Sequence, residues 1–411
     1  MKKKLMIIGA GRLQLPAIMQ AKEQGCEVIA VDWDHEAEGF TYSDRALSLS
    51  TLDIDGVVQA AKKIKPDGVL TLATDLPVKT VAAVGEALGL KAVSTDTAAK
   101  VTDKGRMRQA LLEKKVPVPR FFVVKDKEAF FGAVEAFSDV FIVKPTDSSG
   151  SRGVTLVCDK KEAEKAYDYS RRYSHSGRIL VEAYLGGPEV SVETYSEAGT
   201  VHITAVTDKI TTGPPHFVEM GHTIPSSLDK NQLFEIESLA RQAVLALGIK
   251  EGPTHTEIIS TPQGPMIVEV GARLGGDSIA SHLVPAATGV NLVELSIKSA
   301  LGEQVVMEKT KDQAAAIRFL KAPPGTILSL EGQAKALSLP GVSEVVFTKQ
   351  IGEAVYPLRS SHDRVGHVIA WGKTARQAAD ICEKALSLLK VKTTGSDKMG
   401  SEPADEKEPS G

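Results

Sequence analysis

Short apolar runs alternating with helical periods over about the first 95 residues constrain this fold more than any other feature of the chain. Residues 5–8, 27–32 and 68–72 read as buried strands, residues 13–24, 54–64 and 78–88 as helices, and residues 92–93 as a brief further strand. That rhythm means a parallel sheet, because parallel neighbours need a crossover long enough to hold a helix. A helix over 103–114 then runs into Val116-Pro-Val-Pro119, whose prolines open a different segment. From 121 to about 300 the pattern is mixed, with strands expected over 121–124, 140–144, 154–157, 179–182, 190–195, 201–207, 254–260 and 265–271. The helices of this part fall over 127–137, 162–172, 233–247 and 291–301. Residues 314–320 and 342–347 read as strands of a third unit, closed by a helix over 374–389. The expected fold class is therefore α/β and α+β: a parallel βαβ domain over 1–100, a central α+β domain of two subdomains over 101–310, and a small α+β domain over 311–391. The stretch 392–411 has almost no apolar residue to bury and is expected to be a disordered tail.

With 42% hydrophobic and 25% charged residues and a net charge of −3, the chain has the composition of a soluble globular protein. That balance gives no electrostatic reason to expect nucleic acid or an anionic membrane as a partner. Cys26, Cys158 and Cys382 fit no metal spacing and read as buried thiols in a reducing compartment. The basic start is followed by only four apolar residues before Gly9, and no stretch approaches the roughly 18 apolar residues of a membrane span. The cytoplasm is the expected location.

Four stretches carry chemistry. His255-Thr-Glu257-Ile-Ile-Ser-Thr-Pro-Gln-Gly-Pro-Met-Ile-Val-Glu269-Val-Gly271-Ala-Arg273 reads as two apolar strands joined by a Pro/Gly turn. Paired as a hairpin, they bring Glu257 and Glu269 together, with a guanidinium four residues beyond. Hard oxygen donors at that separation suit Mg²⁺ on a polyphosphate, and Arg273 suits charge developing in phosphoryl or acyl transfer. An ordinary hairpin with two solvated acids is the plain alternative. In Phe141-Ile-Val-Lys144-Pro145-Thr146-Asp147-Ser148-Ser149-Gly150-Ser151-Arg152-Gly153 a strand ends in a lysine and gives way to a loop of small residues. Such a loop leaves backbone N–H groups free to surround phosphate oxygens. No helix follows and the lysine precedes the glycines, so it is not a P-loop, and a flexible hairpin loop is the alternative.

Ile179-Leu-Val-Glu182-Ala-Tyr184-Leu185-Gly-Gly-Pro-Glu189-Val-Ser-Val-Glu193 is a strand, a Gly-Gly-Pro break and a second strand. Its break would offer the Tyr184-Leu185 backbone to an adenine edge and Glu189 to ribose hydroxyls, although strand–turn–strand units are common. Near the N-terminus, Gly9-Ala-Gly11-Arg-Leu-Gln14 with Asp32 partly matches a dinucleotide fingerprint. Gln14 stands where that fingerprint needs its third glycine, which favours a structural turn.

Taken in order, Asp103-Lys104-Gly-Arg106, Lys144-Pro145 with its Gly/Ser loop, Glu182 to Glu189, Lys209, and Glu257, Glu269 and Arg273 resemble the ATP-grasp superfamily of carboxylate–amine ligases. The resemblance spans about residues 1–390. It implies that the central domain is an ATP-grasp domain with a lid subdomain at about 121–183. Lys104 and Lys144 would contact nucleotide phosphates, under a loop of Ser148, Ser149, Gly150, Ser151 and Gly153. Glu182, Tyr184 and Leu185 would face adenine, Glu189 the ribose, and Lys209 a further phosphate. Glu257 and Glu269 would hold Mg²⁺, with Mn²⁺ as a substitute, and Arg273 would hold the acyl phosphate and tetrahedral intermediate. Members of the superfamily often carry Glu-x-Asn-x-Arg; Gly271 stands in the place of that asparagine, which puts a second metal ion in doubt.

His216-Phe-Val-Glu219-Met-Gly-His222-Thr-Ile-Pro225 and Arg273-Leu-Gly275-Gly276-Asp277-Ser278 resemble the L-amino-acid (dipeptide-forming) ligase branch. There Glu219 would pair with a substrate ammonium, His222 would position it or accept a proton, and Gly275 and Gly276 would donate N–H groups to a carboxylate. Asp363, Arg364 and His367 read as surface charges. The implied enzyme uses ATP and Mg²⁺ to turn an amino acid or small carboxylic acid into an acyl phosphate, then couples it to an amine or amino acid, releasing ADP and phosphate. Its partners would be those small molecules, with a homodimer as the default assembly. A purine-pathway or carboxylase-type member would share the ATP site. A rival of another class is a nicotinamide-dependent oxidoreductase built on the Gly9-Ala-Gly11 turn; a non-catalytic nucleotide binder would not need Arg273.

Overall fold

The computed structural model describes residues 2–138 and 140–395. Its N-terminal part contains β1 (Lys4–Ile8), α1 (Leu15–Glu23), β2 (Glu27–Asp32), β3 (Arg45–Ser48), α2 (Ile54–Ile64), β4 (Gly68–Leu70) and α3 (Val78–Leu88). The strands form a parallel sheet of order β3-β2-β1-β4. Leu5, Met6, Ile7 and Ile8 are all fully buried, which is why the first strand is a continuous apolar run rather than an alternating one. The strand expected at 92–93 does not form; Ser94 instead caps an unexpected short helix, α4 (Thr95–Val101). β3 was also not expected, since Arg45-Ala-Leu-Ser is a mostly exposed edge with one large apolar residue.

α5 (Lys104–Glu113), capped by Asp103, leads into β5 (Phe121–Val124), α6 (Lys127–Val134), β6 (Phe141–Pro145), β7 (Thr155–Val157), α7 (Ala163–Arg172) and β8 (Ile179–Ala183). These strands make an antiparallel sheet of order β5-β8-β6-β7 around a core that includes Phe130, Phe141, Val143, Tyr167 and Val181.

The rest of the chain supplies β9 (Glu189–Glu197), β10 (Thr200–Thr211), β11 (Glu219–Ile224), α8 (Lys230–Leu247), β12 (Gly252–Thr261), β13 (Gly264–Gly271), α9 (Val284–Thr288) and α10 (Leu292–Ala300). It continues with β14 (Ala314–Leu320), β15 (Gly325–Glu331), α11 (Gln333–Leu337), β16 (Val342–Phe347), β17 (Ala354–Val355), β18 (Gly366–Gly372), α12 (Ala375–Leu386) and β19 (Lys390–Thr393). One eight-stranded sheet of order β13-β12-β9-β10-β11-β14-β18-β16 unites both regions. Val190, Val192, Ile258, Ile267 and Val270 pack against Ile236, Leu239, Ala240 and Val244 of α8. The two-residue strand period therefore turns Glu189, Ser191, Glu193, His255 and Glu257 to the opposite face.

β19 pairs with β15, so ordered chain extends past residue 392; the rest of the expected tail lies outside the described residues. Cys26 and Cys382 are buried as expected, but Cys158 is exposed. Among the described residues, no helix is long and apolar enough to cross a membrane.

Candidate active site

Strand register alone gathers the charged face. Glu257 pairs with Glu269 across β12 and β13, Ser191 of β9 lies opposite Glu257, and Glu189 lies opposite Lys209 of β10. Three acids and a lysine thus share four adjacent strands. The Lys209 ammonium lies 2.8 Å from Glu189, 3.1 Å from Glu257 and 3.6 Å from Glu219, with its side chain 5% exposed. Burial opposes its charge, but the three carboxylates outweigh burial and hold its pKa well above the ordinary lysine value. Glu257 mirrors this: burial works against its charge, yet Lys209 and His255 hold it well below the usual carboxylate range.

These groups open onto a cavity of about 380 Å³. Lys104, Lys144, Ser148, Ser149, Gly150, Ser151, Glu182, Tyr184, Leu185, Glu189, Lys209, Glu219, Glu257, Glu269 and Arg273 all line it. Lys104 sits in the first turn of α5. Its ammonium donates to Glu269 and to the Ser148 carbonyl, both at 2.8 Å, and its backbone N–H donates to the Thr146 carbonyl at 2.7 Å. Burial opposes the Lys104 charge and Glu269 overcomes it. Asp103 ties the same turn to the loop, accepting from Thr146 Oγ1 at 3.1 Å and from Arg178 at 2.6 Å.

Glu182 lines the cavity with its carboxylate already paired. It pairs with Lys144 and accepts from Arg108 Nη2 at 2.8 Å and Nε at 3.2 Å. Arg108 is fully buried and also donates to the Ile267 carbonyl at 2.9 Å. Sequence reasoning missed it, although the spacing of Lys104, Arg108 and Leu111 on one face of α5 was a usable signal. Burial lowers the Lys144 pKa, and Arg108 and Lys104 add to the effect of burial against the opposing pull of Glu182.

Gly153, His222, Gly275 and Gly276 are not among the residues lining the cavity. Gly153 closes the base of the loop at φ +75°, where a Cβ would lie 2.8 Å from Pro145 Cγ. Arg152, in the same loop, does line the cavity and donates to the Ser149 carbonyl at 3.0 Å. The Gly275 N–H is taken by Glu193 at 3.2 Å, and Glu193 also pairs with His255, so this N–H is not open to a substrate carboxylate. A Cβ at Gly276 would meet Ala73 at ordinary contact distances, 3.8 Å from its carbonyl oxygen and 4.0 Å from its Cβ.

His222 lies in β11 rather than a loop, buried, with Nε2 3.2 Å from Asp277. Asp277 receives a two-pronged pair from Arg364 at 2.7 and 2.8 Å. Burial works against the Asp277 charge, but Arg364 and His222 hold it far below the ordinary carboxylate value. The Arg364 guanidinium stacks 3.7 Å from the centre of the Phe319 ring. Arg364 is therefore a largely buried partner of the site and not a surface charge. His367, likewise mostly buried, bonds Glu344 at 2.6 Å, while Asp363 accepts backbone N–H groups of Arg359 and Ser360 at 3.0 and 2.7 Å. Glu219 accepts from Ser361 Oγ at 2.6 Å, which joins the C-terminal segment to the cavity wall.

Arg273 meets Asp75, another residue that sequence reasoning missed: Nε and Nη2 donate to its two oxygens at 2.8 and 3.0 Å. Burial opposes the arginine's charge, but Asp75 raises its pKa above the ordinary value. Near the N-terminus, Asp32 accepts the Ala10 N–H at 2.7 Å, and Gln14 packs over Gly9 while donating to the Leu72 carbonyl at 2.7 Å. The would-be ribose acid is thus holding its own turn.

Glu257 and Glu269 offer only hard oxygens, and among the described residues no group of three or more His, Cys, Asp or Glu forms a metal cage. Two carboxylates without a cage fit Mg²⁺, which completes its octahedron with phosphate oxygens and water.

A family model described as ATP-grasp domain matches residues 137–281, and one described as L-amino acid ligase C-terminal domain 2 matches residues 318–394. The chain carries an ATP-grasp domain. This ATP-grasp chain is 30% identical over 293 residues to an uncharacterized protein of Sinorhizobium fredii, an alignment covering 70% of the chain and 60% of that relative. It is 26% identical over 399 residues to a formate-dependent phosphoribosylglycinamide formyltransferase of Sulfurisphaera tokodaii, covering 95% and 97% of the two. The crystal structure of an L-amino acid ligase from Bacillus licheniformis superposes with a TM-score of 0.83 at 24% identity, covering 96% and 99%, so the ATP-grasp chain shares its fold.

Proposed function

We propose that this ATP-grasp ligase phosphorylates the carboxylate of an amino acid or similarly small acid and couples it to an amine, with a second amino acid as the favoured acceptor. The observation that carries this reading is the C-terminal segment's entry into the site: Ser361 bonds Glu219, and Arg364 bonds Asp277. Both lie in the stretch matched by the L-amino acid ligase C-terminal domain.

The nucleotide's base would lie against Ile142, Ile259 and Val268, beside the backbone of Tyr184 and Leu185, with its ribose at Glu189. Lys104, Lys144, Lys209 and the Ser148–Ser151 loop would hold the phosphates. Glu257 and Glu269 would hold Mg²⁺, or Mn²⁺ in its place, which neutralises charge on the phosphate oxygens when bound. A carboxylate oxygen of the acid attacks the γ-phosphorus, and the bond to the β–γ bridging oxygen breaks to release ADP. The amine lone pair then attacks the acyl carbon, phosphate leaves, and the amine loses its proton. Arg273 steadies the oxyanion of both steps. Glu219, on the cavity wall, would hold the amine, and His222 would act from behind through Asp277.

The second reading, a formate-using ligase that formylates phosphoribosylglycinamide, draws support from the relative aligned over 97% of its length. We further propose that the unit boundaries fall near residues 100 and 310, and that a symmetric dimer works in the cytoplasm with all three cysteines free. The test is ADP release against pooled amino acids and small amines, with mass detection of products. A separate pool holds formate with phosphoribosylglycinamide: amide products from the first pool support the main reading, formylated phosphoribosylglycinamide from the second pool supports the second, and no acid-dependent ADP release from either pool sinks both.

A further inference from the structure

A guanidinium has five N–H groups, and how they are shared decides what an arginine can still bind. In Arg273, Asp75 takes Nε and one Nη2 hydrogen, and the Leu274 carbonyl takes one Nη1 hydrogen at 3.2 Å. One hydrogen is left on each terminal nitrogen, and Arg273 lines the cavity. Asp75 stands 198 positions earlier in the chain, in the turn that follows β4, where Ala73 adopts a left-handed φ of 60°.

Position 271 fits the same arrangement. A Cβ at Gly271 would lie 2.8 Å from Asp75 Oδ1 and 3.2 Å from Arg273 Cζ. Gly271 has no left-handed φ that would itself call for glycine, so the demand at this position is for space. The absent side chain is what lets the Asp75 carboxylate reach the guanidinium.

We propose that Asp75 is a positioning residue for ligation: it grips the side edge of Arg273 so that the terminal edge is presented, already oriented, to the oxyanion, and Gly271 is the clearance it requires. This rests on the reading of Arg273 given above. The physical gain is preorganisation. A guanidinium fixed in advance stabilises developing charge without having to reorient as the charge appears. The N-terminal βαβ region thereby contributes to the chemistry through a contact that involves neither nucleotide nor metal.

The test compares Asp75→Ala, Asp75→Asn, Gly271→Ala, Arg273→Ala and the double variants Asp75→Ala/Arg273→Ala and Asp75→Ala/Gly271→Ala. Readouts are kcat, KM for each substrate, Mg-ADP affinity by calorimetry and melting temperature. Asp75→Ala should lower kcat by roughly 10–100-fold, the usual cost of losing an orienting partner, with Mg-ADP affinity within about twofold of wild type. Gly271→Ala should reproduce that loss by pushing the carboxylate aside, yet cost nothing more in the Asp75→Ala background. Removing Asp75 from Arg273→Ala should likewise change nothing further. Multiplying losses in that double variant would assign Asp75 an independent structural role. A lower KM for the acid with undiminished kcat in Asp75→Ala would make it a competitor for Arg273; either result overturns the proposal. Should Asp75→Ala fail to fold, Asp75→Asn and Gly271→Ala carry the same comparison. Undiminished turnover in Arg273→Ala would instead remove the reading of Arg273 itself.

Discussion

Replacing Lys209 by methionine keeps most of the side chain's volume and removes the one charge that three acids share. The ammonium is 5% exposed and lies within 3.6 Å of Glu189, Glu257 and Glu219. At an effective dielectric of about 20, an ion pair near 3 Å carries roughly 5 kcal/mol of gross attraction. Desolvation cancels much of that, and removing one partner of a buried pair costs about 3–5 kcal/mol. With three carboxylates losing one counter-ion, the expected destabilisation is at the upper end of that range at pH 8. The sign of its pH dependence follows from Glu257. In the native protein its depressed pKa contributes stability above the ordinary carboxylate value, lost as pH falls through the folded one.

Without Lys209 the folded carboxylates bind protons more readily than unfolded ones, so the variant's deficit shrinks as pH falls towards 5. Urea unfolding of both proteins at pH 8 and pH 5 in EDTA, followed by tryptophan fluorescence and circular dichroism, measures it. Millimolar Mg²⁺ should recover part of the deficit at pH 8 by supplying charge to Glu257. A deficit under about 1 kcal/mol, or one equal at both pH values, would refute the view that this lysine balances the cluster.

Glu269→Gln should abolish ADP formation while leaving the circular dichroism spectrum unchanged; undiminished turnover removes Glu269 from the metal site. The Glu193 carboxylate overcomes burial and pushes the His255 pKa up to about 9. In EDTA, its stabilisation of roughly 3 kcal/mol should be complete below about pH 6.5 and vanish as pH rises through 9. His255→Gln should flatten that profile, and a wild-type unfolding midpoint constant from pH 6 to 9.5 contradicts the assignment. Arg364→Ala should raise the KM of the amino substrate at least tenfold, because Asp277 loses its only two-pronged partner, and leave Mg-ADP affinity unchanged; equal effects on both ligands would mean general collapse.

What could be read from the sequence was whatever a local period encodes. The strands at 314–320 and 342–347 form with the bounds expected, and the 257–269 hairpin sets its two glutamates opposite each other because strand register is local. The contacts that complete the site are set by tertiary packing. Asp75 reaches Arg273 across 198 positions and Arg108 reaches the Ile267 carbonyl across 159; the period of α5 marks the face on which Arg108 lies, but no local pattern marks the partner in either contact. β11 was hidden because Glu219-Met-Gly-His-Thr-Ile alternates poorly. Its Gly221–Ile224 stretch is buried between β10 and β14, where Asp277 meets His222 Nε2 and Arg318 meets the Thr223 hydroxyl. Nor does any local pattern show that Glu182, expected beside adenine, also bridges Lys144 and Arg108.

The pairing of charges explains why such a site can fold at all. Each cation assigned to phosphate is balanced within the chain: Lys104 by Glu269, Lys144 by Glu182, Lys209 by Glu189 and Glu257, Arg273 by Asp75. Four unbalanced cations at this burial would be prohibitively costly, and so would the acids alone. A polyphosphate that carries its own divalent cation would exchange with the lysine pairs and conserve neutrality: its oxygens would meet the lysines as the metal met the carboxylates of Glu257 and Glu269. Free nucleotide would face Glu257 and Glu269 as like charges, and free metal would face Lys104 and Lys209. On the proposed reading the arrangement would therefore select the metal–nucleotide complex over either component by charge balance, without needing a protein-only metal cage.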